Sequence, residues 1–94
     1  MIVGLGTIEL QIPESCSLKD KRRVVRSVVA RVRNHFNVSI AEVDHLDSWQ
    51  RATLAVACVS SDVPYAHGLL EKVVRFIDHG RFDLVLLDYT IEFI

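Results

Sequence analysis

Polar and apolar positions alternate cleanly near the start of the chain. Ile8, Leu10 and Ile12 fall on one side, and Thr7, Glu9 and Gln11 on the other. This is the period-two signature of a half-buried strand, predicted over residues 2–12 and ended by Pro13. Gly4 and Gly6 share the Ile8 side, where they leave room for a helix to approach closely. The period then changes. Leu18, Val25, Val28, Val29, Val32 and Phe36 recur at helical spacing and make one apolar stripe. Ser17 opens this helix in the capping-box form "SLKD", and Asn34 or Asn37 is placed to end it, since Asn tolerates the left-handed conformation. Residues 38–45 and 51–60 are rich in β-branched and small residues and flank "LDSWQ", which predicts a hairpin. Ser61 or Asp62 caps a second helix with Pro64 in its first turn. Ala66, Leu69, Leu70, Val73, Val74 and Ile77 form its buried face, and Gly80 is its stop. A last long strand runs through "FDLVLLDYTIEFI", with Tyr89, Ile91 and Phe93 opposed to Asp88, Thr90 and Glu92.

The order βαββαβ predicts an α+β, ferredoxin-like fold: a four-stranded antiparallel sheet with both helices on one face, as a single domain over residues 1–94. The other face then carries no helix. Val3, Leu5, Ala41, Val43, Ala55 and Ala57 are predicted to lie there. Half of the residues are hydrophobic, so a homodimer or higher oligomer through the open face or an edge strand is expected. No apolar run approaches the ~20 residues that cross a bilayer. The first residues also lack the basic, apolar and small-residue sequence of a secretory leader. The expectation is a cytoplasmic protein with no membrane partner. Cys58, inside "LAVACVS", is expected to be buried, and Cys16 to be a bystander.

Charge sharpens the picture. The chain is slightly acidic at −1, yet residues 17–36 hold seven of its eleven Lys and Arg residues. With Asp20 included that segment carries +6, against −7 over the rest. At ~100° per residue, Lys19, Arg22, Arg23, Arg26 and Arg33 fall within about 100° of one another on an exposed helix face, over roughly 20 Å of axis. Lys21 lies at the edge of the buried arc and Arg31 on the far side. Four of the cations crowd the first turn and a half, against the helix dipole, and Arg22 and Arg26 are like charges at i,i+4. A face serving only solubility would mix in Glu. The row therefore predicts an anionic partner. Arg forks bind phosphate oxygens, which points to RNA or a ribosomal surface. The alternative is a protein-interaction or oligomeric module in which the row meets acidic protein surface, such as Glu42, Asp44, Asp47 or Asp88 of a second copy.

A second cluster lies in "EVDHLDSWQR". Asp44, His45 and Asp47 invite a small-ligand or metal-dependent enzyme, but Asp44 and His45 are neighbours on a strand and point to opposite faces unless a bulge or the loop converges them. No metal or other cofactor is expected. Trp49 either folds back on the sheet or docks a partner, with Arg51 beside it and within reach of Asp47 or Asp44. Other uses of this fold lack their residues. The central strands carry no aromatics for base stacking, there are too few cysteines for an iron–sulfur cluster, and no glycine-rich phosphate loop follows the first strand. His35, His45, His67 and His79 are scattered and form no nucleophilic constellation.

The segments "IPESCSLKDKRRVV", "RNHFNVSIAEVDHLDSWQRATLAVACVS" and "LEKVVRFI" resemble the YlxP-like family of small bacterial proteins, a domain of unknown function. The marks are the "SLK-x-KR" helix start, the "FNVS-x-AEVDH" strand and the turn Trp49-Gln50-Arg51-Ala52, over about residues 2–78. The resemblance implies a ferredoxin-like fold and supplies no catalytic residues. Such proteins are often encoded beside translation-initiation and ribosome-maturation factors, which implies an RNA- or ribosome-associated role.

Overall fold

A computed structural model describes residues Met1–Ile94. The elements are β1 (Ile2–Gln11), α1 (Leu18–His35), β2 (Ser39–Asp44), β3 (Arg51–Ser60), α2 (Val63–His79) and β4 (Val85–Phe93). All four strands join one antiparallel sheet in the order β2-β3-β1-β4, the ferredoxin-like arrangement that the element order implies. The apolar side of β1 (Ile8, Leu10 and, beyond it, Ile12) meets Leu54 and Val56 of β3, Val28 and Val32 of α1, and Leu70, Val73 and Ile77 of α2 in one core. No helix is long and apolar enough to cross a membrane.

Local chemistry sets the helix ends. Ser17 Oγ accepts from the Asp20 amide at 3.0 Å, while the Asp20 carboxylate reaches back to the Cys16 amide at 3.1 Å, one residue beyond the cap itself. Asp62 Oδ2 caps α2 by accepting from the Tyr65 amide at 3.0 Å. The predicted Asn stop of α1 is not used. The helix runs to His35 and the chain leaves through Phe36 in an extended conformation (φ −135°), its amide still bonded to Val32 O at 2.9 Å. An aromatic cluster explains this exit. Phe36 packs edge-on against Phe76 of α2 at 5.4 Å and His35 lies 4.6 Å from the same ring, so burial rather than a left-handed turn directs the backbone. Gly80 ends α2 as predicted, but with φ −73° it supplies space rather than a left-handed turn. A Cβ there would lie 2.6 Å from the Phe82 ring and 2.7 Å from Phe76 O. Gly4 gives α2 close access to the sheet, since a Cβ would meet Leu70 Cδ1 at 3.0 Å.

The last strand begins at Val85 rather than Phe82. Phe82 turns inward to the aromatic cluster, 6.2 Å from Phe76, which holds that segment out of the ladder. A register shift opposite Glu9/Leu10 then separates Asp88 from Leu86 in the pairing of β4 with β1. A second shift lies between Glu42 and Asp44 where β2 pairs with β3. It leaves Glu42 paired with Leu54 on the helix side and Asp44 paired with Thr53 on the open side.

Candidate functional site

The cations of α1 divide into three groups. Lys19, Arg22 and Arg26 are exposed and make no hydrogen bond or ion pair. Arg23 holds the Asp20 carboxylate at 3.2 Å in an exposed i,i+3 pair, which is worth only ~0.2–1 kcal/mol and leaves its fork accessible. Arg33 turns to the sheet edge, where its Nη2 donates to Ile40 O at 3.0 Å. Off the row, Arg31 lies over the Phe82 ring with its Cζ 4.7 Å from the centroid. The row from Lys19 to Arg26 therefore stands clear of the protein's own acceptors, apart from Asp20.

Lys21 does something else entirely. Its side chain is 0% exposed, and Nζ donates to Glu42 Oε2 at 2.6 Å, to His45 O at 2.9 Å and to Leu46 O at 3.4 Å. All three ammonium protons have acceptors, which is how a lysine tolerates full burial. The side chain thereby ties the first turn of α1 to the start of the β2–β3 loop. Its sequence signal was its place on the wheel, toward the valines rather than with the other cations, combined with Glu42 on the inward side of β2.

On the open side of the sheet a polar chain runs from β1 through β3 to the residue that follows β2. Thr53 is buried and donates its hydroxyl proton to Glu9 Oε2 at 2.8 Å, while His45 Nδ1 lies 2.9 Å from Thr53 Oγ1. A hydroxyl has one proton. With that proton on the Glu9 carboxylate, His45 Nδ1 must be the donor to Thr53, so neutral His45 carries its proton on Nδ1 and leaves Nε2 as an acceptor. His45 adopts a left-handed backbone (φ 58°), a region where His is enriched, and Asp44 Oδ1 accepts its amide at 2.7 Å. The Asp44 carboxylate thus meets the His45 amide, while the His45 ring goes to Thr53. No group of three His, Cys, Asp or Glu residues is placed to hold a metal ion.

Arg51 does not reach Asp44 or Asp47. It pairs across the sheet with Glu9 at 3.6 Å, because the register sets Arg51 opposite Gln11 and one row from Glu9 on the same face. Its Nε is buried and has no hydrogen-bond partner. Trp49 does not fold back on the sheet; it stands at the loop tip, 57% exposed. Neighbouring Gln50 reaches the opposite way, donating to Ser15 O at 3.0 Å and so fastening the loop to the segment before α1. The other three histidines stay apart: His35 lies in the aromatic cluster, His67 beside Glu71 at 3.7 Å and His79 beside Asp78 at 3.9 Å.

Residues 3–91 match the family model described as "Protein of unknown function (DUF503)". The chain is also similar to "Uncharacterized protein YlxP" of Bacillus subtilis (strain 168), with 40% identity over 77 residues that cover 82% of this chain and 84% of the relative. The matched residues include α1, the β2–β3 loop and the open sheet face up to Ile91, short of Glu92 and Ile94.

Proposed function

The chain belongs to the DUF503 family of proteins of unknown function, and from that premise we propose that it is a non-enzymatic protein that binds RNA or a ribosomal surface through the outer face of α1. The observation that carries this role is the row Lys19, Arg22 and Arg26, exposed and without protein partners, with the Arg23 fork beside it. Lys19 to Arg26 spans about 10 Å of helix axis at ~1.5 Å per residue, enough to meet several phosphates of a backbone. Arg33, with one nitrogen committed to Ile40 O, contributes at most the rim of this surface. Trp49 supplies an exposed aromatic on a tethered loop, suited to docking. Contacts to phosphate position without reading sequence, and the open sheet face carries no aromatic ring for stacking, so recognition is by charge and shape. Such a role entails a cytoplasmic protein that needs no cofactor.

Four phosphate contacts on a duplex give a slope of log K against log salt of about −3.6, from −0.9 per phosphate. The test is a salt series of fluorescence anisotropy with a labelled RNA duplex. An Arg22→Ala/Arg26→Ala double variant should weaken binding and reduce the slope by about 2. Unchanged affinity and slope in a variant that melts like the parent would overturn the proposal.

A further inference from the structure

The open face of the sheet is a grid whose rows are fixed by strand register. Val59 and Val3 pair across β3 and β1, and Val3 exchanges both main-chain hydrogen bonds with Ile94. The next row reads Ser39, Ala57, Leu5 and Glu92 from β2 to β4, then Ala41, Ala55, Thr7 and Thr90, then Asp44, Thr53, Glu9 and Asp88. One end of the face is thus apolar and flat, with Val59 70% and Ile94 79% exposed, and the other end is charged. At the β2 side a shallow depression of about 350 Å³ opens between Arg33, Ser39, Ala41, Ala55 and Ala57. At the β4 side of the same row Glu92 is exposed and makes no hydrogen bond or ion pair.

The size suits a second copy. Strands of ten, six, ten and nine residues, ~4.8 Å apart at ~3.4 Å per residue, present roughly 570 Å² per copy, near 1,100 Å² for two, just above the ~1,000 Å² that a specific interface needs. Symmetry then selects the arrangement. A two-fold axis in the interface and parallel to the strands lays each row on its own counterpart with β2 over β4, so the apolar ends coincide and Arg33 faces Glu92. An in-plane axis across the strands reverses the rows and sets apolar against charged ones, with Asp88 near Glu92. Edge-to-edge pairing through β2 is blunted, since Arg33 already occupies Ile40 O.

We propose that two copies of this chain pair face to face through the open side of the sheet, about a two-fold axis parallel to the strands, with Arg33 of each copy against Glu92 of the other. The interface centres on Val3, Leu5, Ala57, Val59 and Ile94. The charged row also lies over its counterpart, Asp44 of one copy toward Asp88 of the other, but at the solvated rim, where water screens the pair and the ~30° rotation between packed sheets offsets it sideways. Lys19, Arg22, Arg23 and Arg26 lie on the two outer surfaces, so this pairing is independent of the phosphate-binding role except at Arg33.

Sedimentation equilibrium over a concentration series tests it. The parent chain should sediment at twice the 10.6 kDa chain mass. Val59→Glu alters an exposed side chain and should give the 10.6 kDa species, with a Tm that no longer rises with protein concentration as the parent's does. Arg33→Glu and Glu92→Arg should each raise the dimer dissociation constant about tenfold or more, and the double exchange should restore it to within about threefold. The Arg22→Ala/Arg26→Ala variant should stay dimeric. A monomeric parent, a dimer indifferent to Val59→Glu, or a double exchange that restores nothing would overturn the proposal. In the last two cases an edge strand or another face holds the copies.

Discussion

Replacing Lys21 with Met isolates the contribution of its ammonium group. The apolar stem and its packing are nearly retained, while the bonds to Glu42, His45 O and Leu46 O are lost together. Removing one member of a buried ion pair costs ~3–5 kcal/mol, because the other charge is left uncompensated. Glu42 keeps 15% of its side chain exposed, and the two carbonyls belong to a loop that water can reach, which lowers the expected loss to about 2–4 kcal/mol. That is a large share of the ~5–15 kcal/mol typical of a domain, and at ~4–8 °C per kcal/mol it lowers Tm by roughly 10 °C or more. Urea unfolding should show a lower midpoint with an unchanged slope. Glu42→Gln keeps an acceptor for Nζ but leaves the fully buried ammonium without a countercharge, and should cost about as much, ~2–4 kcal/mol. Lys21→Met combined with Glu42→Leu should recover part of the loss, giving a coupling of ~1–3 kcal/mol in the double-mutant cycle. A Lys21→Met variant within ~1 kcal/mol of the parent, or a cycle that closes at zero, would refute this account of the buried lysine.

Two further outcomes follow from side-chain geometry. The Thr53 proton count requires neutral His45 to be the Nδ1–H form. Imidazole ¹⁵N shifts should show this directly, and an Nε2–H form would contradict it. Tyr89 donates to the Glu71 carboxylate at 3.2 Å, and this hydrogen bond, then the Glu71 charge, then desolvation raise the phenol above its usual 10.0, with Arg75 opposing. The raised value makes the folded state favoured by this bond below pH ~10, a contribution lost as pH rises through the folded value. Ultraviolet titration of Glu71→Gln should therefore move the Tyr89 midpoint down, and an unmoved midpoint would refute the assignment.

The element order and the sidedness of each strand were legible because burial on one face imposes a period, and β1 shows that period without interruption. Boundaries were less legible where a distant group decided them. Phe36 and Phe82 are drawn to Phe76, which overrides the Asn stop of α1 and delays the start of β4. For the candidate site, the wheel places the five cations on one face, but it cannot say that Arg33 bends to Ile40 O while Lys19, Arg22 and Arg26 remain free. The partner of Arg51 depends on the register of β3 against β1, two strands remote along the chain, which a local hairpin pattern does not set. The bulge also decides that Glu42 turns inward to Lys21 while Asp44 turns outward.

The place of β1 between β3 and β4 has a kinetic meaning. Its partners are remote along the chain: Ile8 pairs with Leu54 on one side and with Tyr89 on the other. Closing such loops costs entropy before any core contact repays it, whereas the β2–β3 hairpin closes locally. During synthesis the first strand made must wait for two of the last, and Ile8 and Leu10 stay without their sheet neighbours until then. The rate of folding should therefore be governed by the capture of β1, and substitutions in the β2–β3 loop, which closes before that step, should act mainly on folding and little on unfolding.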